Sequence, residues 1–389
     1  MRFEFATAAR IVFGAGALGE VGRLAAEMAA GQKQPHVLVV SGCTAGHTRS
    51  LLDLLKAEAL ECCVLDVQGE PTVEFVQNGT QLARDNRCTL VIGLGGGSAL
   101  DTGKAIAAMA TNSGDLLDYL EVIGAGRALS QPPVPYIAIA TTAGTGAEVT
   151  RNAVLACPPH RVKVSLRSPL LLPRLALVDP ELTYDLPPEI TASTGMDALT
   201  QLIEAFVSAR ANPLTDAICR EGIQRASRSL LRAYRDGHDT SARQDMATAS
   251  LFSGLALANA GLGAVHGFAA SLGGMFHAPH GAVCAALIPH VMSVNVKALR
   301  ARGQKGDSLS RYHEIGRLVT GDPTGAADDA IRWVQQVCTE LAIPRLRACG
   351  VTEADLPVLI EKGRAASSMK GNPIALTRQE LHEILARAL

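Results

Sequence analysis

The chain has 389 residues, of which 48% are hydrophobic and 19% are charged, and its formal net charge is −1. This length exceeds that of one ordinary core and predicts about two domains. Because the charge is near zero and no dense basic stripe occurs, the sequence lacks the electrostatic pattern of a protein that binds nucleic acid or an anionic membrane. We therefore expect a small-molecule partner.

The nine cysteines include no CxxC pair, and two of them, Cys62 and Cys63, are adjacent. This pattern favours reduced thiols over a disulfide framework or a zinc ribbon, and it predicts a cytoplasmic protein. The first residues lack the basic start and continuous apolar core of a signal peptide, and Gly, Pro and charges interrupt the later apolar runs. We expect no membrane-spanning segment.

Short β-branched runs alternate with helical patterns in the first half of the chain. Such alternation, with continuously apolar strands, predicts an α/β domain built on a parallel sheet that is covered on both faces. The predicted strands are HVLVVSG (36–42), TLVIGLGGG (89–97) and VPYIAIATT (134–142), and the predicted helices are 51–60 and 75–86.

The composition changes after LALVDPELTYDLPPE (175–189), where Val and Ile runs give way to Ala- and Leu-rich helical periods. Two prolines, Pro187 and Pro188, stop regular structure and allow a helix to begin. We therefore predict an α/β domain over residues 1–186 and an all-α domain over residues 187–389.

Two glycine- or threonine-rich stretches follow predicted strands. In GLGGGSALDTGKAIAAMA (93–110) a helix begins after the strand, so its first backbone N–H groups favour a phosphate. The spacing matches neither the GxGxxG nor the Walker A loop. TTAGTGAEVT (141–150) offers small and hydroxyl side chains. Each stretch alone is consistent with an ordinary turn, but two such loops on neighbouring strands favour a dinucleotide. The candidate residues are Gly95, Gly96, Gly97, Ser98, Thr141, Thr142 and Thr145.

GMDALTQLIE (195–204) places Asp197 and Gln201 one helical turn apart, so both side chains reach toward the same point. An Asp and a His at this spacing are typical of a metal site, whereas Gln supplies only a neutral amide oxygen. Farther along, His266 and His280 each precede a glycine within an apolar stretch. A single His in such a stretch is usually a hydrogen-bonded core residue. These residues alone therefore do not decide between a metal site and ordinary core histidines.

Motifs across the chain resemble the iron-containing (group III) alcohol dehydrogenases. They are, in order, GGGSALDTGKA, TTAGTGAEVT, LVDPELT, GMDALTQLIEAF, GAVHG, APHGAVCAALIPHVMSVN and SSMKGNPIALTRQEL. The resemblance implies a Rossmann-like dinucleotide-binding domain, a helical domain and a catalytic cleft between them. The implied reaction is hydride transfer between NAD(P) and a small alcohol or aldehyde. Family members commonly form dimers or larger assemblies, so we expect a homo-oligomer.

In that family an Asp and three His residues hold iron or zinc, and the resemblance assigns Asp197, His266 and His280 as ligands, with Gln201 in place of the remaining His. Three interpretations of Gln201 stay open. It could be a weak ligand, it could hold a water that completes the ligand sphere, or the site could be metal-free with Gln201 and the histidines polarising the substrate.

The resemblance also assigns catalytic roles. Asp197 and His266 would hold the cation that acts as a Lewis acid on the substrate oxygen. His277 is a candidate for proton exchange with solvent, because the position where many relatives carry a further His is Ala270 here.

The choice between NAD and NADP depends on the end of the strand at 36–42. Relatives that prefer NAD often have an acidic residue where this chain has Gly42, and its absence removes the repulsion of a 2′-phosphate. We expect NAD(P) with a slight lean to NADP, and we assign Asp101 and Lys163 to the cofactor site as well. The alternatives to this function are a metal-independent reductase of the same fold, a lyase resembling dehydroquinate synthase, and a non-catalytic nucleotide-binding protein.

Overall fold

The computed structural model describes residues 2–32, 34–276, 278–303 and 307–389. These residues form two compact units. An α/β unit comprises Thr7–Thr142 and Gly146–Tyr184, and a helical unit comprises Asp185–Leu389 with the short segments Met1–Ala6 and Ala143–Thr145.

A six-stranded parallel sheet forms the centre of the α/β unit, which confirms the prediction of a parallel sheet. Its strands are β1 (Ile11–Phe13), β2 (His36–Gly42), β3 (Glu61–Asp66), β4 (Leu90–Gly95), β5 (Tyr136–Ala140) and β8 (Leu175–Val178). Their order across the sheet is β1-β8-β5-β4-β2-β3.

Helices cover both faces of this sheet. They are α1 (Val21–Ala29), α2 (Ala45–Ala57), α3 (Val73–Asp85), α4 (Gly97–Thr111) and α5 (Leu116–Tyr119). Along β2, Val37 and Val39 pack with α1 and α2, whereas Leu38 and Val40 pack with α3 and α4. Because successive strand side chains alternate between faces, a strand that is apolar on both faces must be covered on both.

The structure differs from the sequence prediction in several elements of this unit. Helix α2 begins at Ala45 and not near residue 51, because the Thr44 hydroxyl accepts a hydrogen bond from the His47 backbone N–H and starts the helix earlier. Strands β1, β3 and β8 and helices α1 and α5 were not predicted. Neither was the antiparallel pair β6 (Asn152–Cys157) and β7 (Val162–Arg167), whose side chains alternate between buried and more exposed positions.

The helical unit confirms the predicted helical second half. Its helices are α6 (Pro188–Val207), α7 (Pro213–Arg235), α8 (Thr240–Ala260), α9 (Ala264–Phe276), α10 (His280–Arg302), α11 (Ser308–Thr320), α12 (Ala327–Glu340), α13 (Leu356–Ala365) and α14 (Arg378–Ala388). Helix α6 begins at Pro188, packs against α7, α8 and α10, and is buried over most of its length. It therefore presents its polar residues to the interior.

One helix of the described chain, α10, is long and apolar enough to cross a membrane by length and composition. The apolar window of this helix is 78% buried inside the protein. Its apolar side chains therefore belong to the core of the helical unit.

Candidate metal centre and cofactor loops

Three polar side chains lie on one face of α6. Asp197, Gln201 and Glu204 follow one another at helical spacing, and each is no more than 3% exposed. Buried carboxylates and amides are tolerated only when they have partners, so this face must meet other polar groups. The partners come from α8, α9 and α10.

Glu204 fixes the orientation of His266, which lies in the first turn of α9. The Glu204 Oε2 atom is 2.7 Å from His266 Nδ1, and its Oε1 atom accepts a hydrogen bond of 2.7 Å from the Val265 backbone N–H. A carboxylate at Nδ1 favours the neutral tautomer that keeps its proton on Nδ1, and in that tautomer Nε2 is the nitrogen able to bind a metal. That Nε2 atom lies 3.3 Å from Asp197 Oδ1.

Helix α10 supplies two more groups to the same point. His280 is its first residue, and Cys284 follows one turn later, so both side chains lie on one helical face. The Cys284 sulfur is 3.7 Å from Nε2 of His266 and 3.7 Å from Nε2 of His280. His280 Nε2 lies 3.7 Å from Asp197 Oδ1. One donor atom from each of these four side chains lies within 4.8 Å of the others.

This arrangement fits a metal ion. Tetrahedral zinc with ligand bonds of about 2.0–2.3 Å separates neighbouring donor atoms by roughly 3.3–3.6 Å. Four of the separations among Asp197, His266, His280 and Cys284 are 3.3–3.7 Å. Asp197 Oδ1 is buried and receives no hydrogen bond from the described residues. A buried carboxylate oxygen without a hydrogen-bond donor requires a compensating positive charge.

The electrostatics of the cluster agree with this fit. Burial opposes ionisation of Asp197, but the imidazoles of His280 and His266 hold the pKa of its carboxyl below the usual value. Burial also lowers the pKa of His266, yet Cys284, Asp197 and Glu204 together raise that pKa well above its usual value. The Cys284 sulfur and Asp197 raise the pKa of His280 to about 9, although burial alone would lower it. The cluster therefore attracts positive charge.

Gln201 lies beside this cluster. Its Nε2 donates a hydrogen bond of 3.2 Å to Asp197 Oδ2, and its Oε1 accepts one of 2.9 Å from the Ser253 hydroxyl on α8. A direct ligand role for Gln201 stays a prediction. The predicted proton relay, His277, lies outside the described residues.

The glycine-rich loop connects β4 to α4 in the α/β unit. Gly95 has φ of +153°, a conformation that favours glycine, and a Cβ there would lie 2.8 Å from the Ala99 Cβ. Gly96 is the N-cap residue of α4 and has no side chain that could accept a hydrogen bond. The backbone N–H groups of Gly97 and Ser98, at the start of the helix, are therefore not capped by a side chain. A Cβ on Gly96 would approach Thr142 to 3.3 Å. The turn therefore keeps backbone donors accessible at a helix N-terminus.

The other cofactor candidates occupy four settings. Gly42 pairs with Gly95 across the sheet, and Thr141 follows β5, so both adjoin the glycine-rich loop. Asp101 accepts hydrogen bonds from the buried Lys104 ammonium and from the Val154 N–H, which gives it a structural role in α4. Lys163 on β7 forms an ion pair with Glu70, and Thr145 belongs to the segment that clusters with the helical unit. The role of these residues toward a cofactor stays a prediction.

Sequence reasoning missed two residues of the candidate metal centre, Glu204 and Cys284. Both had a signal in the helical spacing, because Glu204 is seven residues after Asp197 and Cys284 is four residues after His280. The signal was weak, since a cysteine in an apolar helix is ordinarily a core residue.

The comparisons with known proteins agree with this fold. Residues 8–180 match the family described as iron-containing alcohol dehydrogenase, and residues 191–389 match the C-terminal domain of the Fe-containing alcohol dehydrogenase family. The chain belongs to this family. It is an oxidoreductase acting on CH–OH groups, and the family uses NAD(P) and a divalent metal.

Three relatives illustrate the similarity. The chain is 38% identical to alcohol dehydrogenase 4 of Schizosaccharomyces pombe, over 86% of this chain and 77% of the relative. It aligns with the crystal structure of a 1,3-propanediol oxidoreductase at a TM-score of 0.91 and 34% identity, covering 100% of both chains. It aligns with sulfoacetaldehyde reductase from Bifidobacterium kashiwanohense in complex with NAD+ at a TM-score of 0.86 and 28% identity, covering 99% and 98% of the two chains.

Glu204→Gln tests the orienting role of this carboxylate. Gln cannot accept hydrogen bonds at both ends, so either the Val265 N–H loses its acceptor or an amide N–H faces His266 Nδ1 and moves the imidazole proton to Nε2. We expect zinc affinity, measured by competition with a chromophoric chelator, to fall by about 10–100-fold. Glu189→Gln, at an exposed position in the first turn of α6, is the matched control. Unchanged affinity in Glu204→Gln would contradict the orienting role.

Proposed function

We propose that this protein is an NAD(P)-dependent, metal-assisted alcohol dehydrogenase that interconverts small alcohols and aldehydes. The observation that carries the proposal is the buried Asp197 Oδ1 atom, which faces the Nε2 atoms of His266 and His280 and has no hydrogen bond from the described residues. Iron or zinc, held by these three side chains, would supply Lewis-acid polarisation of the substrate oxygen.

The chain's own residues prepare this site before substrate binds. Glu204 keeps the His266 Nε2 lone pair directed at the centre, and Gln201 holds Asp197 through Oδ2 while Oδ1 stays directed at the histidines. His280 is less enclosed, with a side chain 37% exposed, so it lies on the open side of the cluster. We propose that substrate approaches from that side.

The cofactor half of the proposal rests on the loop after β4. The uncapped N-terminus of α4 offers backbone N–H groups to a pyrophosphate, and Gly95 and Gly96 occupy positions where a Cβ would crowd Ala99 and Thr142. A relative of similar fold is named as a complex with NAD+. For this chain we propose NAD(P), with the slight lean to NADP that the absence of a carboxylate at Gly42 suggests.

The names of the relatives support the substrate class, since they include an alcohol dehydrogenase and a 1,3-propanediol oxidoreductase. We propose a small alcohol or aldehyde as substrate, a cytoplasmic location and a homo-oligomeric assembly. The metal-independent reductase is the alternative that the metal experiment separates.

The metal dependence is tested by aldehyde reduction with NADH and NADPH. We expect chelator treatment to abolish the reduction of a short aldehyde, and zinc or ferrous ion to restore it. Asp197→Asn, which removes the charge but retains the shape, should lower kcat/KM by at least roughly a hundredfold, since several kcal/mol of charge stabilisation is lost. A parent protein that is fully active in chelator would contradict this proposal and favour the metal-independent reductase.

The glycine-rich loop is tested at Gly97, the first residue of α4. Gly97→Val places a β-branched side chain where backbone must approach a pyrophosphate, so we expect dinucleotide affinity to fall at least tenfold, about 1.4 kcal/mol. Gly97→Ala adds a single methyl group and should show a smaller loss. Calorimetric titration with each nucleotide measures both variants. A folded Gly97→Val protein with parental affinity would show that the loop does not contact the cofactor.

The cofactor preference is tested at Gly42. A Cβ at this position would lie 2.9 Å from the Ala99 Cβ, so any substitution requires a local shift. Gly42→Ala carries this steric effect alone and is the control for Gly42→Asp, which adds a charge that repels a 2′-phosphate. Relative to the alanine variant, we expect the aspartate to weaken NADP at least about tenfold more than NAD. Equal losses for both nucleotides would place this strand end away from the ribose.

A further inference from the structure

We infer that Cys284 provides the fourth protein ligand of the metal centre, as a thiolate, and that Gln201 is a positioning residue that does not contact the ion. This inference rests on the proposed function, because it assigns a ligand to the metal site proposed there. It changes the donor set from one carboxylate, two imidazoles and an amide to one carboxylate, two imidazoles and a sulfur.

The hydrogen bonds of Gln201 argue against its coordination of an ion. Its Nε2 donates to Asp197 Oδ2 at 3.2 Å, and an amide NH2 group is a donor without a lone pair for a cation. Rotating the amide by half a turn would bring its oxygen against Asp197 Oδ2, so that two acceptors would face each other. The observed orientation directs the amide oxygen to the Ser253 hydroxyl at 2.9 Å.

The position of Cys284 argues for coordination. Its sulfur is equidistant, at 3.7 Å, from the Nε2 atoms of His266 and His280. A zinc ion with a sulfur ligand at about 2.3 Å and nitrogen ligands at about 2.0 Å separates sulfur from nitrogen by roughly 3.5 Å. Small adjustments of these side chains would therefore complete a tetrahedron around one ion.

The surroundings of Cys284 differ from those of an ordinary core cysteine. Cys219 on α7 is fully buried, and burial raises the pKa of its thiol. Cys284 is also fully buried, but it faces two imidazole nitrogens and belongs to the cluster that contains the unsatisfied Asp197 Oδ1. An apolar role does not explain why a thiol faces these groups.

The sulfur changes the chemistry of the site. A coordinating thiol loses its proton, so Asp197 and Cys284 together would cancel the two positive charges of a divalent ion. A thiolate is a soft ligand, which favours zinc over a hard cation such as magnesium. Four protein ligands leave room for substrate, because zinc sites can expand to five-coordinate during a reaction.

Cobalt substitution tests the ligand directly, because a thiolate bound to Co²⁺ produces an intense near-ultraviolet charge-transfer absorption that oxygen and nitrogen ligands do not. We expect this band in the cobalt-loaded parent, its loss in Cys284→Ser, and its retention in Gln201→Ala. Cys338→Ser is the matched control, since Cys338 is a partly buried thiol on α12 that donates to the Ala285 carbonyl. It should keep the band.

Zinc affinity provides a second measurement on the same proteins. Competition with a chromophoric chelator should show that Cys284→Ser loses roughly tenfold or more, because changing a partner of a ligand already costs 10–100-fold and loss of the ligand costs no less. Cys338→Ser should bind zinc like the parent. Retained affinity in Cys284→Ser would overturn the inference.

The outcomes distinguish this inference from the proposed function. A parent that binds cobalt and reduces aldehydes without a sulfur band would overturn the role of Cys284 and leave the metal-assisted reaction intact. A parent that binds neither cobalt nor zinc would overturn both. A band that disappears in Gln201→Ala but persists in Cys284→Ser would also contradict the assignment.

Discussion

The hydrogen bond of 2.7 Å between Glu204 Oε2 and His266 Nδ1 fixes the direction of the imidazole on which the proposed metal centre depends. Glu204 also accepts from the Val265 N–H, so one buried carboxylate fixes both the first turn of α9 and its histidine. Because Nδ1 is used by Glu204, Nε2 is the atom that faces Asp197. The geometry of the cluster is therefore set by the protein before any ion binds.

Helix α6 carries three of the side chains in this arrangement. Its buried polar face carries three side chains with separate roles, because Asp197 faces the centre, Gln201 holds Asp197 in place, and Glu204 orients His266. With Gln201 at the position where the family resemblance implies a histidine, the carboxylate of Asp197 still has a hydrogen-bond partner. In the proposed metal centre the Cys284 sulfur on α10, 3.7 Å from Nε2 of both histidines, would replace the missing donor.

The fold was predictable where one physical signal dominated. The strands at 36–42 and 90–95 are continuously apolar because both faces are covered, and the glycines after the second strand mark the turn into α4. The β6–β7 pair was not predicted. The sequence of β6 (NAVLAC) shows no alternation of apolar and polar residues, whereas β7 (VKVSLR) does alternate and its signal was overlooked. The start of α2 depended on a single hydroxyl cap at Thr44.

The site was predictable from type and spacing only in part. The resemblance assigned Asp197, His266 and His280, and the structure brings their donor atoms within hydrogen-bonding or near-contact distances. The roles of Glu204 and Cys284 could not be predicted from the sequence, because each role depends on which atoms of other helices the side chain faces. Spacing along one helix cannot specify that partner.

The proposed function requires that the helical unit hold one divalent ion between Asp197, His266, His280 and Cys284. Elemental analysis of the parent, after exposure to zinc or ferrous ion and removal of free metal, tests this claim most directly. We expect about one ion per chain in the parent and little or none in a folded Asp197→Ala variant. A parent that retains no ion, or an Asp197→Ala variant that retains as much as the parent, would contradict it.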